Sequence, residues 1–283
     1  MRRTGFTLCF VAAGIIAACG DNQTPPPAKG NYVGAPPTPL PCVPNLDGKI
    51  DSNELQPIFG VTANFLVSPQ GKTRTVDQVG VVRDGKTLWA FNVDLPDDQI
   101  FKSTGTPLTG KWYADKFPGL ANPVVLGLDA AGNFEAIYTH DEQALYLHGT
   151  ASKAQAVNTY LPYDKPIALY RFPLQVGSSY TASADVKNGS FQGLPYAGRD
   201  TYEVKVDAAG QVILSDFSVQ QALRVKTKVT IAPAAGIVTV TRQTNFLFEC
   251  VGEIVRLTSV AGEEDENFTN AAEVRRLGLS VNE

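Results

Sequence analysis

Histidine is almost missing from this chain: His140 and His148 are the two among 283 residues. A zinc site takes three or four well-placed ligands, so these two with Asp141 and Glu142 nearby make a thin donor set, and no metal or cofactor is expected. Charged side chains are also scarce, at 18% against 43% apolar. That balance excludes a disordered polyelectrolyte and fits a globular protein with a real core. A basic surplus is lacking too. Without Arg2 and Arg3, which lie in a segment read below as cleaved, 22 basic side chains face 28 acidic ones, a net of −6. Such a chain has no general attraction to phosphate backbones, which excludes nucleic acid as a partner. No apolar run reaches the roughly 20 residues of a spanning helix. No Gly-x-Ser-x-Gly elbow, His-Glu-x-x-His or phosphate loop occurs, and Gly189-Ser190-Phe191-Gln192-Gly193 has its serine one place too early, so no enzyme class is indicated. Helical patterns are few: one after Asp51, one over 152–160 and one near 270–277.

Cysteines are few, but their places are informative. Arg2-Arg3 followed by the apolar stretch from Phe6 to Ala18 reads as an export signal. It ends in Ile16-Ala17-Ala18-Cys19-Gly20, which resembles the bacterial lipobox: an aliphatic residue, two small ones, then the cysteine that takes lipid. The resemblance implies cleavage after Ala18, a diacylglyceryl thioether on Cys19 and an acylated amine. Several acyl chains hold a membrane stably where one does not. By analogy with Gram-negative sorting, Gly20 rather than an aspartate after the cysteine points to the outer membrane.

From Gly20 to Pro41 there are seven prolines in 22 residues. Proline fixes φ and removes a donor, so this stretch is expected to be an extended tether reaching roughly 70 Å at about 3.1 Å per residue. Cys9 leaves with the signal and Cys19 takes the lipid, which leaves Cys42 and Cys250 as an even pair in an exported, oxidising setting. A Cys42–Cys250 disulfide is expected. A metal or catalytic thiol would want a histidine near in sequence, and neither cysteine has one.

Strand patterns fill the body. Val79 to Val82 and Leu88 to Phe91 flank an Asp84-Gly85 turn, and Val124 to Asp129 returns through Gly132-Asn133 into Phe134 to Thr139. Tyr202 to Val206 alternates, as does Leu223 to Ile231, with Arg224, Lys226 and Lys228 at every second place. Alternation of this kind marks a sheet with one buried and one wet face. Further strands are expected near 237–248 and 251–258. The fold class is therefore mainly β: an antiparallel sandwich or incomplete barrel with few short helices. The expected organisation is a signal over 1–18, lipidated cysteine and tether over 19–41, and a disulfide-closed β-rich domain over 42–260. A weak internal boundary falls at the proline joint 160–166, and an acidic turn (Glu263 to Glu266) with a C-terminal helix occupies 261–283.

Phe172-Pro173-Leu174-Gln175-Val176-Gly177, Ala222-Leu223-Arg224-Val225 and Cys250-Val251-Gly252-Glu253-Ile254-Val255-Arg256-Leu257 together resemble a strand layout of bacterial envelope lipoproteins whose β-rich domain has no assigned function. The resemblance spans about residues 170–260. It implies a fold type and an envelope location, not an activity.

Asn45-Leu46-Asp47-Gly48-Lys49-Ile50-Asp51-Ser52-Asn53-Glu54 is similar to the later part of a calcium loop, with Asn45, Asp47, Asp51 and Glu54 as candidate ligands. The first ligand position falls on Val43, and calcium wants six to eight oxygens, so a turn followed by a capped helix start is the competing reading. Asp94, Asp97 and Asp98 could supply a glycosidase-type acid pair or simply line a solvated loop. The Arg224 row reads as a wet face, with an anion site as its functional alternative. Trp89, Trp112, Tyr113 and Phe117 could line an apolar cavity or fill a core. The leading expectation is a lipid-anchored, non-catalytic scaffold or partner-binding module of the envelope. Its alternatives are a carrier of an apolar, lipid-like ligand and a carboxylate-based hydrolase. The expected partners are the membrane, through the N-terminal lipid, and an envelope protein or apolar ligand.

Overall fold

The computed structural model describes residues 42–57, 59–129 and 131–278. The signal, Cys19 and the tether lie outside the described residues. The chain from Pro41 onward forms one compact unit. Its strands are β1 (Lys49–Ile50), β2 (Thr62–Val67), β3 (Arg74–Thr75), β4 (Val81–Arg83), β5 (Lys86–Phe91), β6 (Gln99–Thr104), β7 (Thr106–Pro107), β8 (Val124–Gly127) and β9 (Phe134–His140). Then come β10 (Ala144–Ser152), β11 (Tyr160–Arg171), β12 (Leu174–Gln175), β13 (Ser179–Phe191), β14 (Leu194–Leu214), β15 (Ser218–Pro233), β16 (Thr239–Phe248), β17 (Gly252–Ser259) and β18 (Asn270–Gly278). Among the described residues the only helices are single 3-10 turns, at Ser52–Glu54, Ala114–Lys116 and Gln155–Val157.

Thirteen strands follow one another in the order β6-β2-β18-β17-β16-β15-β14-β13-β11-β10-β9-β8-β7, each antiparallel to its neighbour, and curl into a nearly closed barrel. Closure removes the free edges that make open sheets sticky. The two ends of the sheet, β6 and β7, are joined through Gly105. Side chains fill the remaining seam. The Phe101 ring lies against Gly127, where an added Cβ would come within 2.8 Å of it. The Arg275 guanidinium sits over Phe101 and Phe65, at 4.7 and 5.7 Å from the ring centres, and donates to the Leu128 carbonyl at 3.0 Å.

The lumen is packed. One inner layer is Ala136, Leu147, Ile167 and Ala184 with Tyr138, Tyr163 and Tyr202. The next is Tyr170, Val204, Val206, Leu223, Val225 and Leu247, into which Ile50 and Leu55 insert from the N-terminal strap. Asn245 on β16 donates to the Tyr170 hydroxyl on β11 at 2.6 Å, a bond that crosses the barrel. Inner charges are paired: Arg256 with Glu253 at 2.9 Å and Arg275 with Glu273 at 3.3 Å. Burial works against the Arg256 charge, yet Glu253 and Glu273 hold its pKa above the usual arginine value.

Two coverings lie on the outer face. Trp89, Phe91, Phe246, Val255, Leu257 and Phe268 make the larger one, with Trp89 and Phe246 in edge contact at 4.9 Å. Leu108, Tyr113, Phe117, Val125 and Ile137 make the second. β5 is held there by parallel pairing with the far end of β14.

Both hairpins read from the sequence are present, β4–β5 and β8–β9. Three expectations are corrected. Residues 270–277 are not a helix but strand β18, bridging β17 and β2; Ala271 and Arg276 bury outward while Arg275 bolts the seam, and this tertiary demand overrides local helix propensity. The 152–160 helix shrinks to the 3-10 turn between β10 and β11. The proline joint at 160–166 lies inside β11: residues 160–162 pair with β10, the register then shifts and resumes at Ile167 opposite Leu147, and Tyr163 pairs with Val186 of β13, so the joint is an irregularity within the strand and not a boundary.

Candidate functional site

The barrel has two distinct ends. At the base lie the β16–β17 turn with Cys250, the β9–β10 turn and the strap 42–55. At the tip lie the β10–β11, β13–β14 and β15–β16 connections.

Cys42 and Cys250 are disulfide-bonded at a sequence separation of 208. The strap beside them is bound in several further ways. The Glu249 carboxylate accepts the backbone N–H groups of Asn45 and Leu46 at 2.7 and 2.8 Å, and the Cys250 N–H donates to the Glu54 carbonyl at 2.8 Å. β1 pairs with β12. Disulfides persist in oxidising compartments, so this bond marks an extracytoplasmic protein.

The candidate calcium donors are occupied by this clasp. Asn45 Nδ2 and the Asp51 N–H donate to the two Glu54 carboxylate oxygens, both at 2.9 Å. Lys49 Nζ sits 2.8 Å from Asp51 and 3.6 Å from Asp47, so a cation of the protein's own stands between the two aspartates. Burial raises the Glu54 pKa, with the charge of Glu249 adding to it and the Asp51 N–H opposing. These four residues do come together, as a turn and a helix start. Among the described residues no group of three or more His, Cys, Asp or Glu side chains is placed to hold a metal.

The two histidines have separate partners. His148 Nε2 is 2.7 Å from the Thr139 hydroxyl, and burial lowers its pKa. His140 packs on the Phe172 ring at 5.4 Å.

Asp94, Asp97 and Asp98 are all neutralised. Lys72 and Arg74 bind Asp97 at 2.7 and 2.5 Å, which holds its carboxyl below the usual range. Buried Arg276 takes Asp94 and Asp98 together with the Phe91 and Val93 carbonyls. A general-acid pair needs one proton poised on a free carboxyl; here the three carboxylates serve as anchors for arginine.

The row Arg224, Lys226, Lys228 lies on the outer face, as its alternation requires, but the wet-face expectation is corrected for its first two members. Their side chains are only 12% and 8% exposed. Both bind Asp207, at 2.7 and 3.1 Å, because the segment around Gln78 and the loop with Asn267 cover this face. Burial alone would raise the Asp207 carboxyl; the two cations hold it below its usual range. Lys228 remains more open and pairs with Glu203 at 2.7 Å.

Trp112, Tyr113 and Phe117 gather in one outer covering while Trp89 stands in the other. Ser190, in the near-elbow string, donates to the Asn158 carbonyl at 2.8 Å.

The feature that sequence reading missed is the tip. The β13–β14 and β15–β16 hairpins stand side by side, linked by the Ala234 N–H donating to the Ala197 carbonyl at 2.8 Å. Between them and the Asn158 turn is an open groove of about 600 Å³, with Tyr160, Ser190, Tyr196 and Ala235 on its walls. Lys187 and Asn188 also line it, and near its lining residues in the chain Ile237 is 84% exposed, Leu194 70%, Val238 55% and Phe191 44%. A signal was present in the absence of charge over 188–198 and 229–241. Only pairing shows that the two stretches are neighbours.

No protein-family model, curated protein or solved structure matches this chain.

Proposed function

We propose that this protein is a lipid-anchored, non-catalytic module of the bacterial cell envelope, held by Cys19 and the proline-rich tether, with a filled barrel that works through its surface. The observation that carries the reading is the condition of the interior. The lumen is occupied by packed tyrosines and aliphatics and by paired charges, and the carboxylates with catalytic promise are bound to lysine or arginine. Ligand sites are usually concave, largely preformed and lined by a few convergent polar groups. A module that binds by its outer loops needs none of these. Cys42, where the preceding chain enters, is bonded to Cys250 at the base of the barrel. The outer membrane is the favoured location, from Gly20 behind Cys19.

The test is metabolic labelling with a radioactive fatty acid in an envelope-exporting bacterium. The parent chain is expected to carry label and to fractionate with outer membranes, and Cys19→Ser to carry none. Persistent labelling of that variant would refute the anchor.

A further inference from the structure

We infer that the two hairpin tips dock into the interfacial layer of a lipid bilayer. Residues 188–198 (Asn-Gly-Ser-Phe-Gln-Gly-Leu-Pro-Tyr-Ala-Gly) contain no charged side chain, and neither do residues 229–241. Each stretch is bracketed by cations, Lys187 and Arg199 for the first, Lys228 and Arg242 for the second. An uncharged apolar end with a collar of long basic side chains is the pattern that lets a body enter lipid while its ammonium and guanidinium groups stay in water. The register makes one surface of the two stretches. Arg199 pairs with Ala232 and Gly198 with Pro233, so both tips project beyond the last shared rung of the sheet. Ile237, Leu194 and Val238 stand largely bare there, and Phe191 leans on the Tyr196 ring at 6.3 Å with its other side exposed.

The base exposes apolar side chains too, Val43, Leu46, Val176 and Val251, but there they are interspersed with Asp47, Lys49, Asp141, Glu142 and Arg171.

The chemistry of the collar says which lipid surface fits. Lys187 is bound to Asp164 at 2.9 Å and Arg199 to Asp185 at 2.7 Å, so the collar is close to neutral. At the same end the acidic loop Glu263 to Glu266 lies to the side, where Arg242 holds the Glu263 and Glu264 carbonyls. Docking is therefore driven by apolar contact and needs no anionic headgroup. It should be insensitive to salt, unlike attraction between exposed charges, which salt screens.

The occupant also fits the chain that precedes the barrel. β16 runs ten residues between base and tip, roughly 33 Å at about 3.3 Å per residue. The 22 residues from Gly20 to Pro41 would span roughly 70 Å if extended. That contour length exceeds the base-to-tip distance, so chain length does not keep the tips from a surface that holds Cys19. That clause rests on the lipid anchor; the exposed, charge-free tips do not.

The experiment uses residues 41–283, which form a unit of their own and carry no lipid. The fragment is floated with phosphatidylcholine vesicles. It is expected to co-float equally at low and high salt, and no better when phosphatidylglycerol is added. Leu194→Asp or Ile237→Asp each weaken binding by roughly tenfold or more, as loss of one buried aliphatic predicts, and the double variant abolishes it with an unchanged melting curve. Ile237→Trp retains binding and shows a blue-shifted emission on adding vesicles. A folded fragment that stays with the unbound protein overturns the proposal. So does binding that persists in the double variant, or self-association that Ile237→Asp abolishes without any vesicle binding, which would assign the tips to a second copy. Failure here with normal acyl labelling of the full chain removes the docking and leaves the anchor; loss of labelling with intact vesicle binding does the reverse.

Discussion

Replacing Cys42 and Cys250 together by serine removes the disulfide and leaves no unpaired thiol among residues 42–278. Its cost can be worked from the fold. The bond spans 208 positions, and the chain-entropy relation assigns a loop of that length about 5 kcal/mol at room temperature. The native strap, by contrast, has other ties. Ile50 and Leu55 are in the core, Glu249 holds two backbone N–H groups, the Cys250 N–H reaches Glu54, and β1 stays paired with β12. The loss therefore falls on the unfolded ensemble, which becomes free to expand. In a domain of this size about 1 kcal/mol moves the melting temperature by about 2–4 °C, so a fall of roughly 10–20 °C is expected. Scanning calorimetry on residues 41–283 reads it directly. Denaturant-jump kinetics then place the effect: refolding of the serine variant slows while its unfolding rate stays near that of the parent. A shift below about 3 °C, or a change confined to unfolding, would refute the argument and show that the bond acts on the native strap instead.

Arg276→Met strands buried Asp98 without its cation and removes the clamp on the Phe91 and Val93 carbonyls; a loss of about 3–5 kcal/mol in urea unfolding is expected, and a change under about 1 kcal/mol would show that Arg74 suffices. Asp200 is buried with its pKa raised by burial, the Tyr163 hydroxyl at 2.6 Å opposing. Its folded form therefore binds a proton more tightly than its unfolded form, and its contribution to stability is lost as pH rises from the ordinary carboxyl range through the raised value. Asp200→Asn should accordingly be more stable than the parent at neutral pH and not at pH 3, as melts across that range will show; an equal difference at both ends would exclude the linkage. Calcium at millimolar concentration should leave the melt of residues 41–283 unchanged, because Lys49 stands between Asp47 and Asp51. A rise of several degrees, the mark of a ligand that binds only the folded state, would reinstate the loop as a site.

Much of the architecture was legible because it is local. Period-two alternation and Asp84-Gly85 or Gly132-Asn133 turns make strands and hairpins wherever they occur, and Cys42 could pair only with Cys250 once the other two cysteines were assigned to the signal and the lipobox. What could not be read was the other side of each strand. Arg224 and Lys226 alternate as surface residues do, but a distant segment around Gln78 and the loop with Asn267 cover them, and nothing in the local pattern encodes that covering. Residues 270–277 suit a helix locally; they form β18 because the barrel needs a strand between β17 and β2 and a guanidinium at its seam. Asp94, Asp97 and Asp98 looked like free acids because their cations, Lys72, Arg74 and Arg276, lie up to 182 residues away in sequence. The charge-free stretches at 188–198 and 229–241 were equally visible from the start, as two separate facts. By itself the sequence determined the strand content, the turns, the cysteine pair and the expected address of the protein, all of which depend on neighbours in the chain or on composition. The tertiary structure decided which polar residues are buried, which acids are neutralised and which apolar stretches share one exposed end, because those properties belong to pairs of segments that meet only when the barrel closes.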